Sequence, residues 1–195
     1  MEKLRVGLIF GGRSVEHEVS VASATSIPRA LDPTRYEVTL VAIDHDGRWH
    51  RGAPKLPPEA SLRGDLVSLQ PMPGDRALVP AAHGSLAPGT PLDVILPIVH
   101  GRGGEDGSLQ GLLELAGIPY VGSGVLGSAV QMDKEVAKRL LHAAGLPVAR
   151  WTLVRHAELR ADPAAAAARA LREIPAPLFV KPANQGSSVG ITKVR

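Results

Sequence analysis

The first 121 residues alternate between short apolar runs and stretches with apolar residues at helical spacing. Residues 4–10 form a run rich in branched side chains that stops at Gly11, which predicts a buried strand. Residues 16–31 follow with a helical apolar pattern, which predicts a helix with Ser14 as its N-cap. A strand that leads directly into a helix is the repeating unit of a parallel α/β layer.

The alternation continues beyond this first unit and is interrupted by a stretch rich in proline and glycine at residues 52–91. Asp46 and Gly47 predict the tight turn of a hairpin. Further strands are predicted at residues 36–43, 48–50, 66–69, 77–80, 93–99 and 118–121, and a helix capped by Ser108 at residues 109–116. These elements predict an α/β fold with a doubly wound, mainly parallel sheet.

The pattern changes after residue 122, where helices outnumber strands. Asp162 as N-cap and Pro163 at the first helical position predict the start of a helix that runs to residue 173. Helices are also predicted at residues 125–132 and 134–144, and strands at residues 151–154, 178–181 and 189–194. We therefore divide the chain into two domains, residues 1–122 and residues 123–195.

Composition restricts the class of protein. The chain has 195 residues, 44% hydrophobic and 21% charged, which excludes collagen-like, disordered and membrane-spanning proteins. Its formal net charge of +3 comes with scattered basic residues and indicates no nucleic-acid partner. The absence of cysteine excludes disulfides and thiolate chemistry. The charged N-terminus lacks the apolar core of an export signal, so a cytoplasmic protein is expected.

Two glycine-rich loops follow the carboxyl ends of buried strands, where open α/β sheets bind their ligands. Residues 100–107 place His100 and Arg102 beside two carboxylates among four glycines, a pattern typical of a binding site or of a turn that caps the next helix. Residues 11–18 open a helix whose N–H groups suit an anion, although Glu16 and Glu18 also complement the helix dipole. The second loop lacks the spacing of a dinucleotide-binding fingerprint.

A third cluster, residues 181–190, joins two predicted strands. Lys181 ends the first strand, and a Gly-Ser-Ser turn follows whose N–H and hydroxyl groups suit phosphate oxygens. The cluster differs from a Walker loop because its lysine precedes the turn and a strand follows it. On residue types alone the cluster favours an ordinary polar hairpin, and Lys134 is compatible with a solvated surface lysine.

Taken in order, the segments GGRSVEHEVS, HGRGGEDGSLQG, MDK and VKPANQGSSVG resemble the D-alanine–D-alanine ligases, which are ATP-grasp enzymes. The resemblance covers essentially the whole chain. It implies that residues 1–122 bind substrate and that residues 123–195 are an incomplete part of an ATP-grasp domain. Family members continue well beyond Arg195, so we expect the full-length enzyme to be active and this chain alone to be inactive.

The resemblance also implies roles for matching residues on the D-alanine side of the reaction. Glu16 lies near the ammonium group of the first D-alanine. His100 lies beside that substrate and the phosphate that is transferred to it. Ser187 belongs to the hydrogen-bond network that holds Glu16.

On the nucleotide side, the resemblance implies that Lys134 and Lys181 contact ATP phosphates and that Gly186, Ser187 and Ser188 cover them. ATP phosphorylates the first D-alanine, and the amine of the second attacks the acyl phosphate. Mg²⁺ assists, with its ligands expected in the part of the family's sequence that lies beyond residue 195. The implied partners are D-alanine, ATP and a second copy of the chain in a homodimer.

Two alternatives stay open at this point. One is another ATP-grasp carboxylate–amine ligase, such as a D-alanine–D-lactate ligase. The other is a module that binds a nucleotide or an amino acid without catalysis.

Overall fold

A computed structural model describes residues 2–52, 64–81 and 89–195. Within them the chain forms two compact units, Met1–Ala129 and Val130–Arg195. Parts of the proline- and glycine-rich stretch predicted from the sequence, residues 53–63 and 82–88, lie outside the described residues.

The first unit contains a sheet and two helices that follow its strands, and a third helix crosses into the second unit. In chain order these elements are β1 (Leu4–Gly11), α1 (His17–Ala30), β2 (Tyr36–Ile43), β3 (Trp49–Arg51), β4 (Asp65–Leu69), β5 (Ala77–Pro80), β6 (Thr90–Pro91), β7 (Val94–Ile98), α2 (Ser108–Ala116) and α3 (Val125–Met132). All the strands predicted before residue 100 are present, most of them shifted by no more than one residue at either end.

The strand order in the sheet is β6-β5-β4-β3-β2-β1-β7. β1 pairs in parallel with both β2 and β7, whereas β3 to β6 extend the sheet through antiparallel pairs. The sheet is therefore parallel across β2, β1 and β7 and antiparallel from β2 to β6. The strand predicted at residues 118–121 is reduced to a single parallel bridge between Tyr120 and Ile95.

Helices cover both faces of the parallel strands because successive side chains of a strand point to opposite sides. Ile9 packs on one face in a cluster with Leu113 of α2. Its neighbour Leu8 packs on the other face in a cluster with Ala24 of α1. All four side chains are completely buried. The doubly wound α/β architecture predicted from the sequence is thus confirmed.

Ser14 is not the N-cap of α1, contrary to the prediction. The helix begins at His17, with Glu16 in the N-cap position. The backbone makes an extra turn before the helix, in which the His17 N–H donates to the Ser14 carbonyl at 3.2 Å. The Ser14 hydroxyl accepts a hydrogen bond from the backbone N–H of Glu16 at 3.1 Å. It therefore organises the loop ahead of the helix.

Ser108 is likewise not the N-cap of α2. It is the first helical residue, and Gly107 precedes it with a left-handed φ of 90°. The carboxylate of Asp106 accepts a hydrogen bond from the Ser108 backbone N–H at 3.0 Å. The first N–H group of this helix is thus satisfied from two residues upstream, because the glycine turns the chain sharply into the helix.

The second unit begins with the end of α3 and contains α4 (Lys134–Ala143), α5 (His156–Ala161), α6 (Pro163–Glu173) and the hairpin β8 (Leu178–Val180) and β9 (Thr192–Val194). Asp162 caps α6 by accepting from the Ala165 N–H at 2.9 Å, as predicted. Asp133 caps α4, accepting from two backbone N–H groups at 3.0 Å each. α5 was not predicted.

Residues 151–154 form no strand, contrary to the prediction. Two oxygens of this segment accept hydrogen bonds from the guanidinium of Arg169 on α6, the Thr152 hydroxyl at 3.1 Å and the Leu153 carbonyl at 2.8 Å. The Trp151 ring lies 5.4 Å from Lys138 Nζ. Side chains of α4 and α6 therefore contact this segment, and no strand among the described residues pairs with it.

An ion pair between Arg5 and Asp93 connects the amino ends of β1 and β7. The Arg5 guanidinium donates to the two Asp93 carboxylate oxygens at 3.0 and 2.6 Å, and the Arg5 backbone N–H donates at 2.8 Å. These bonds lower the pKa of the Asp93 carboxyl from 3.8 to about 2. The pair joins residues 88 positions apart at the amino ends of β1 and β7.

This ion pair predicts a specific dependence of stability on pH. A carboxyl whose pKa is lower in the folded state stabilises the fold above its unfolded pKa, and that contribution is lost as pH falls. For Asp93 the loss is expected between about pH 4 and pH 2. Urea unfolding of the wild type and of Asp93→Asn should show a stability difference at pH 6 that shrinks over this range. A difference that stays constant from pH 6 to pH 2 contradicts the assignment.

Candidate active site

The carboxyl ends of β1 and β7 lie at the same edge of the sheet because the two strands are parallel neighbours. The chain leaves β1 through α1 toward β2 on one side, and leaves β7 through α2 toward Tyr120 on the other. Strand order therefore reverses between β1 and β7. Such switch points form the ligand crevice of open α/β sheets.

Glu16 lies in this crevice, in the loop that follows β1. Glu16 is buried, with only 3% of the residue exposed to solvent. A Cβ atom added to Gly101, in the loop that follows β7, would lie 2.8 Å from Glu16 Oε1. Gly101 also has a left-handed φ of 74°. Glycine is thus required at position 101 both for its backbone conformation and to leave room for the buried carboxylate.

Helix α1 holds the ends of both strands in place. The Ser20 hydroxyl, which is completely buried, accepts from the Gly11 N–H at 2.7 Å and donates to the Ile98 carbonyl. The ring of buried His17 contacts the Gly12 carbonyl through Nδ1 at 2.7 Å. Both loops of the crevice therefore start from strand ends that are anchored to the same helix.

The loop after β7 is organised by its own acidic residues. The Glu105 carboxylate accepts from the Gly101 N–H at 2.7 Å, and Asp106 accepts from the Gly103 N–H at 2.9 Å. Burial acts to raise the pKa of the Asp106 carboxyl, but the N–H groups of Gly103 and Ser108 outweigh it and lower that pKa below its ordinary value. Glu105 and Asp106 therefore shape the loop, in which the sequence motif assigns the substrate chemistry to His100.

His100 is held at two points by α1 and the loop before it. Its backbone carbonyl accepts from the Ser14 hydroxyl at 2.7 Å. Its ring nitrogen Nε2 lies 3.2 Å from the hydroxyl oxygen of Ser23 on α1. Since Ser14 also binds the backbone of Glu16, a single hydroxyl connects the two candidate residues that the sequence places 84 positions apart.

In the second unit, the predicted strand–loop–strand cluster is an antiparallel hairpin of β8 and β9. The chain folds back in a turn closed by a hydrogen bond from the Val189 N–H to the Gly186 carbonyl at 3.0 Å. Its two central residues, Ser187 and Ser188, have left-handed φ values of 47° and 61°. Serine adopts this conformation at a cost, and strained turns of this kind concentrate at ligand-binding loops.

Two lysines flank this hairpin loop in different ways. Lys134, the first residue of α4, donates to the backbone carbonyls of Ala183, at 3.5 Å, and Gln185. Lys181 follows β8 and is exposed, with its Nζ atom 5.9 Å from the centre of the Phe179 ring. Lys134 therefore holds the loop through its backbone carbonyls, whereas Lys181 presents an exposed positive charge beside it.

Residues 2–52, 64–81 and 89–195 contain no group of three or more histidine or acidic residues placed to hold a metal ion. In the same residues, every helix is too short or too polar to cross a lipid bilayer.

Comparison with known proteins decides the family. The model for the D-Ala–D-Ala ligase N-terminus matches residues 5–123, and the model for the D-Ala–D-Ala ligase C-terminus matches residues 140–195. The chain belongs to the D-alanine–D-alanine ligase family. The resemblance seen in the sequence motifs is thereby confirmed.

Individual members of the ligase family align with the whole chain. D-alanine–D-alanine ligase A of Chromobacterium violaceum is 50% identical over 100% of this chain and 54% of its own length. Among solved structures, the VanG D-Ala:D-Ser ligase of Enterococcus faecalis has a TM-score of 0.80 at 31% identity, covering 98% of this chain and 55% of that one. The D-alanine–D-alanine ligase of Coxiella burnetii has a TM-score of 0.77 at 33% identity, covering 100% and 55%. The chain thus spans about half the length of these ligases.

Sequence reasoning placed Glu16 and His100 in loops at the same sheet edge, and the structure brings those loops together. It missed Ser14, Ser20 and Ser23 as the residues that connect the loops to α1. One signal was available, because Ser20 and Ser23 lie one turn apart on a helix face that otherwise packs against the sheet. The role of Ser187 toward Glu16 stays a prediction.

Proposed function

We propose that this chain supplies the first-substrate and phosphate-binding parts of an ATP-dependent D-alanine–D-alanine ligase, which makes the dipeptide for peptidoglycan precursors in the cytoplasm. The observation that carries the proposal is the buried Glu16 carboxylate against Gly101 in the crevice between β1 and β7. A small amino acid carries an ammonium group that such a carboxylate can bind. The proposal includes the domain assignment 1–122 and 123–195 and a homodimer.

The hairpin loop of the second unit has the donor groups that a triphosphate requires. Bound ATP supplies the phosphoryl group that activates the first D-alanine. Lys181 offers an exposed ammonium, and the turn at Gly186, Ser187 and Ser188 offers hydroxyls and backbone N–H groups. Lys134 has three N–H donors, of which two bind loop carbonyls, so the third can reach a phosphate oxygen.

In this scheme the chain's own residues position the substrates and neutralise their charges. Glu16 binds and orients the ammonium group of the first D-alanine. His100 lies beside the carboxylate that receives the phosphoryl group. Lys134 and Lys181 offset the negative charge of the phosphates. The described residues offer no cluster of ligands for Mg²⁺.

The experiment compares two proteins. One is the 195-residue chain, and the other is the extended chain, defined as this sequence continued with the remaining residues of the Chromobacterium violaceum ligase. The extended chain is expected to form ADP and phosphate only when D-alanine is present. The 195-residue chain is expected to show no turnover, because it spans 54% of that relative. An extended chain that binds ATP and D-alanine by calorimetry without releasing phosphate would indicate a non-catalytic binding module.

The second substrate is tested separately. A close structural neighbour of this chain is a D-Ala:D-Ser ligase, so the ligase family includes members with a different second substrate. The extended chain should be offered D-alanine, D-serine and D-lactate in competition. Preference for D-alanine supports the main proposal, and preference for D-lactate or D-serine identifies a variant ligase.

A further inference from the structure

The Ser23 hydroxyl on α1 contacts two polar atoms but has only one proton to donate. It donates to the carbonyl of Val19, one helical turn earlier, at 3.0 Å. It also lies 3.2 Å from Nε2 of His100. A backbone carbonyl can only accept a hydrogen bond, whereas a histidine ring nitrogen can donate or accept according to its tautomer.

Both contacts form together in only one arrangement of protons. If the Ser23 proton points to Val19, the Ser23 oxygen presents its lone pairs to the ring, and Nε2 must carry the proton. If Nε2 were unprotonated, Ser23 would have to give its proton to the ring and leave the Val19 carbonyl. We propose that Ser23 is a positioning residue that holds His100 with a proton on Nε2 and its lone pair on Nδ1.

The rest of the His100 environment supports a single ring position. Ser14 fixes the backbone carbonyl of His100 at 2.7 Å, so the residue is held at its backbone by one serine and at its ring by another. His100 also follows directly after buried Val99 at the end of β7. With Nε2 engaged by Ser23, Nδ1 is the nitrogen left to meet a substrate.

This assignment adds a detail to the reaction, and that detail rests on the proposed function. Neutral His100 would accept a hydrogen bond through Nδ1. Protonated His100 would donate through Nδ1 to a phosphate or carboxylate oxygen while keeping its Nε2 bond to Ser23. In either state Ser23 fixes which nitrogen faces the reacting groups. Loss of Ser23 frees the ring to rotate and to exchange tautomers.

The direct test is nuclear magnetic resonance of the ¹⁵N-labelled 195-residue chain. A proton bound to His100 Nε2 should give an observable signal, because a hydrogen bond to Ser23 slows its exchange with water. The signal is assigned by its loss in His100→Gln. It should disappear in Ser23→Ala and persist in Ser23→Thr, which retains a hydroxyl.

Ser26→Ala is the matched control, since Ser26 lies on the same helix and its hydroxyl donates to the Ser23 carbonyl at 3.0 Å. It should leave the His100 signal unchanged. A proton found on Nδ1 of neutral wild-type His100 overturns the proposal without any variant. So does an Nε2 proton signal that is as strong in Ser23→Ala as in the wild type.

A kinetic measurement on the extended chain tests the consequence. Ser23→Ala is expected to lower kcat roughly three- to tenfold, the range of one neutral hydrogen bond, with KM for ATP unchanged. Ser23→Thr should recover most of the loss, and Ser26→Ala should match the wild type. If kcat is unchanged in Ser23→Ala, the positioning role is wrong. An extended chain without ligase activity contradicts the proposed function instead, and the magnetic resonance result then decides the His100 assignment alone.

Discussion

Glu16→Gln is expected to weaken the apparent affinity of the extended chain for the first D-alanine by roughly ten- to hundredfold, the effect of losing a charged hydrogen-bond partner. The substitution keeps the shape of the side chain, which is important because the Glu16 carboxylate is buried against Gly101. ATP and the second D-alanine should be affected much less, since neither presents an ammonium group to this position. Steady-state kinetics with D-alanine varied over both of its binding phases measures the effect.

Glu18→Gln is the control for this experiment. Glu18 lies two residues further along, in the first turn of α1, with its side chain 76% exposed and 3.6 Å from the ring of His45. If both glutamates only complement the helix dipole, each substitution should cost about 0.3–1 kcal/mol of stability and leave activity unchanged. Urea unfolding of both variants therefore accompanies the kinetics. Equal kinetic effects of the two substitutions would require Glu16 to be abandoned as a substrate ligand.

Lys181→Ala is expected to lower the catalytic efficiency of the extended chain with ATP by at least about tenfold. An exposed ammonium beside the strained serine turn is free to form a charge-assisted hydrogen bond to a phosphate oxygen, which Lys134 can do only with its remaining donor. The loss should appear with ATP as the varied substrate, measured as kcat/KM. D-alanine saturation should be little changed.

Lys193→Ala provides the matched variant for Lys181. Lys193 is exposed on β9 of the same hairpin, where it pairs with Phe179. Its substitution by alanine removes an equal charge at a distance from the turn. It should retain wild-type efficiency. If Lys181→Ala and Lys193→Ala behave alike, the effect is general electrostatics and the nucleotide role of Lys181 is wrong.

Hydrophobic periodicity was sufficient to predict most of the fold. The continuous buried run that includes Leu8 and Ile9 follows from a strand covered on both faces, and the glycines after it mark where the chain leaves the sheet. The loops of Glu16 and His100 were predicted at the same edge because parallel strands end together. These features follow from the local hydrophobic pattern and from the rule that parallel strands end at the same edge of a sheet.

Other features depend on contacts that no local pattern encodes. Ser14 and Ser108 have the residue type and position of N-caps. However, the loop adds a turn ahead of α1 and the Ser14 hydroxyl donates to the His100 carbonyl, whereas α2 begins one residue earlier than predicted, with Ser108 inside it. Residues 151–154 have a strand-like alternation, yet Arg169 of α6 satisfies two of their oxygens. The hydrogen bond of Ser23 to the His100 ring joins residues 77 positions apart, which only the assembled sheet brings together.

The position of β7 beside β1 determines when the candidate active site can first exist in a newly made protein. β1 leaves the ribosome well before β7, its partner on one side, since Asp93 just before β7 follows Arg5 by 88 residues. At synthesis rates of about 5–20 residues per second, this interval corresponds to roughly 4 to 18 s. During that time the Glu16 loop has α1 and β2 beside it but no His100 loop opposite. The meander from β2 to β6 can fold first through short-range pairs, and the docking of β7 then closes the longest loop of the unit and assembles the crevice in one late step.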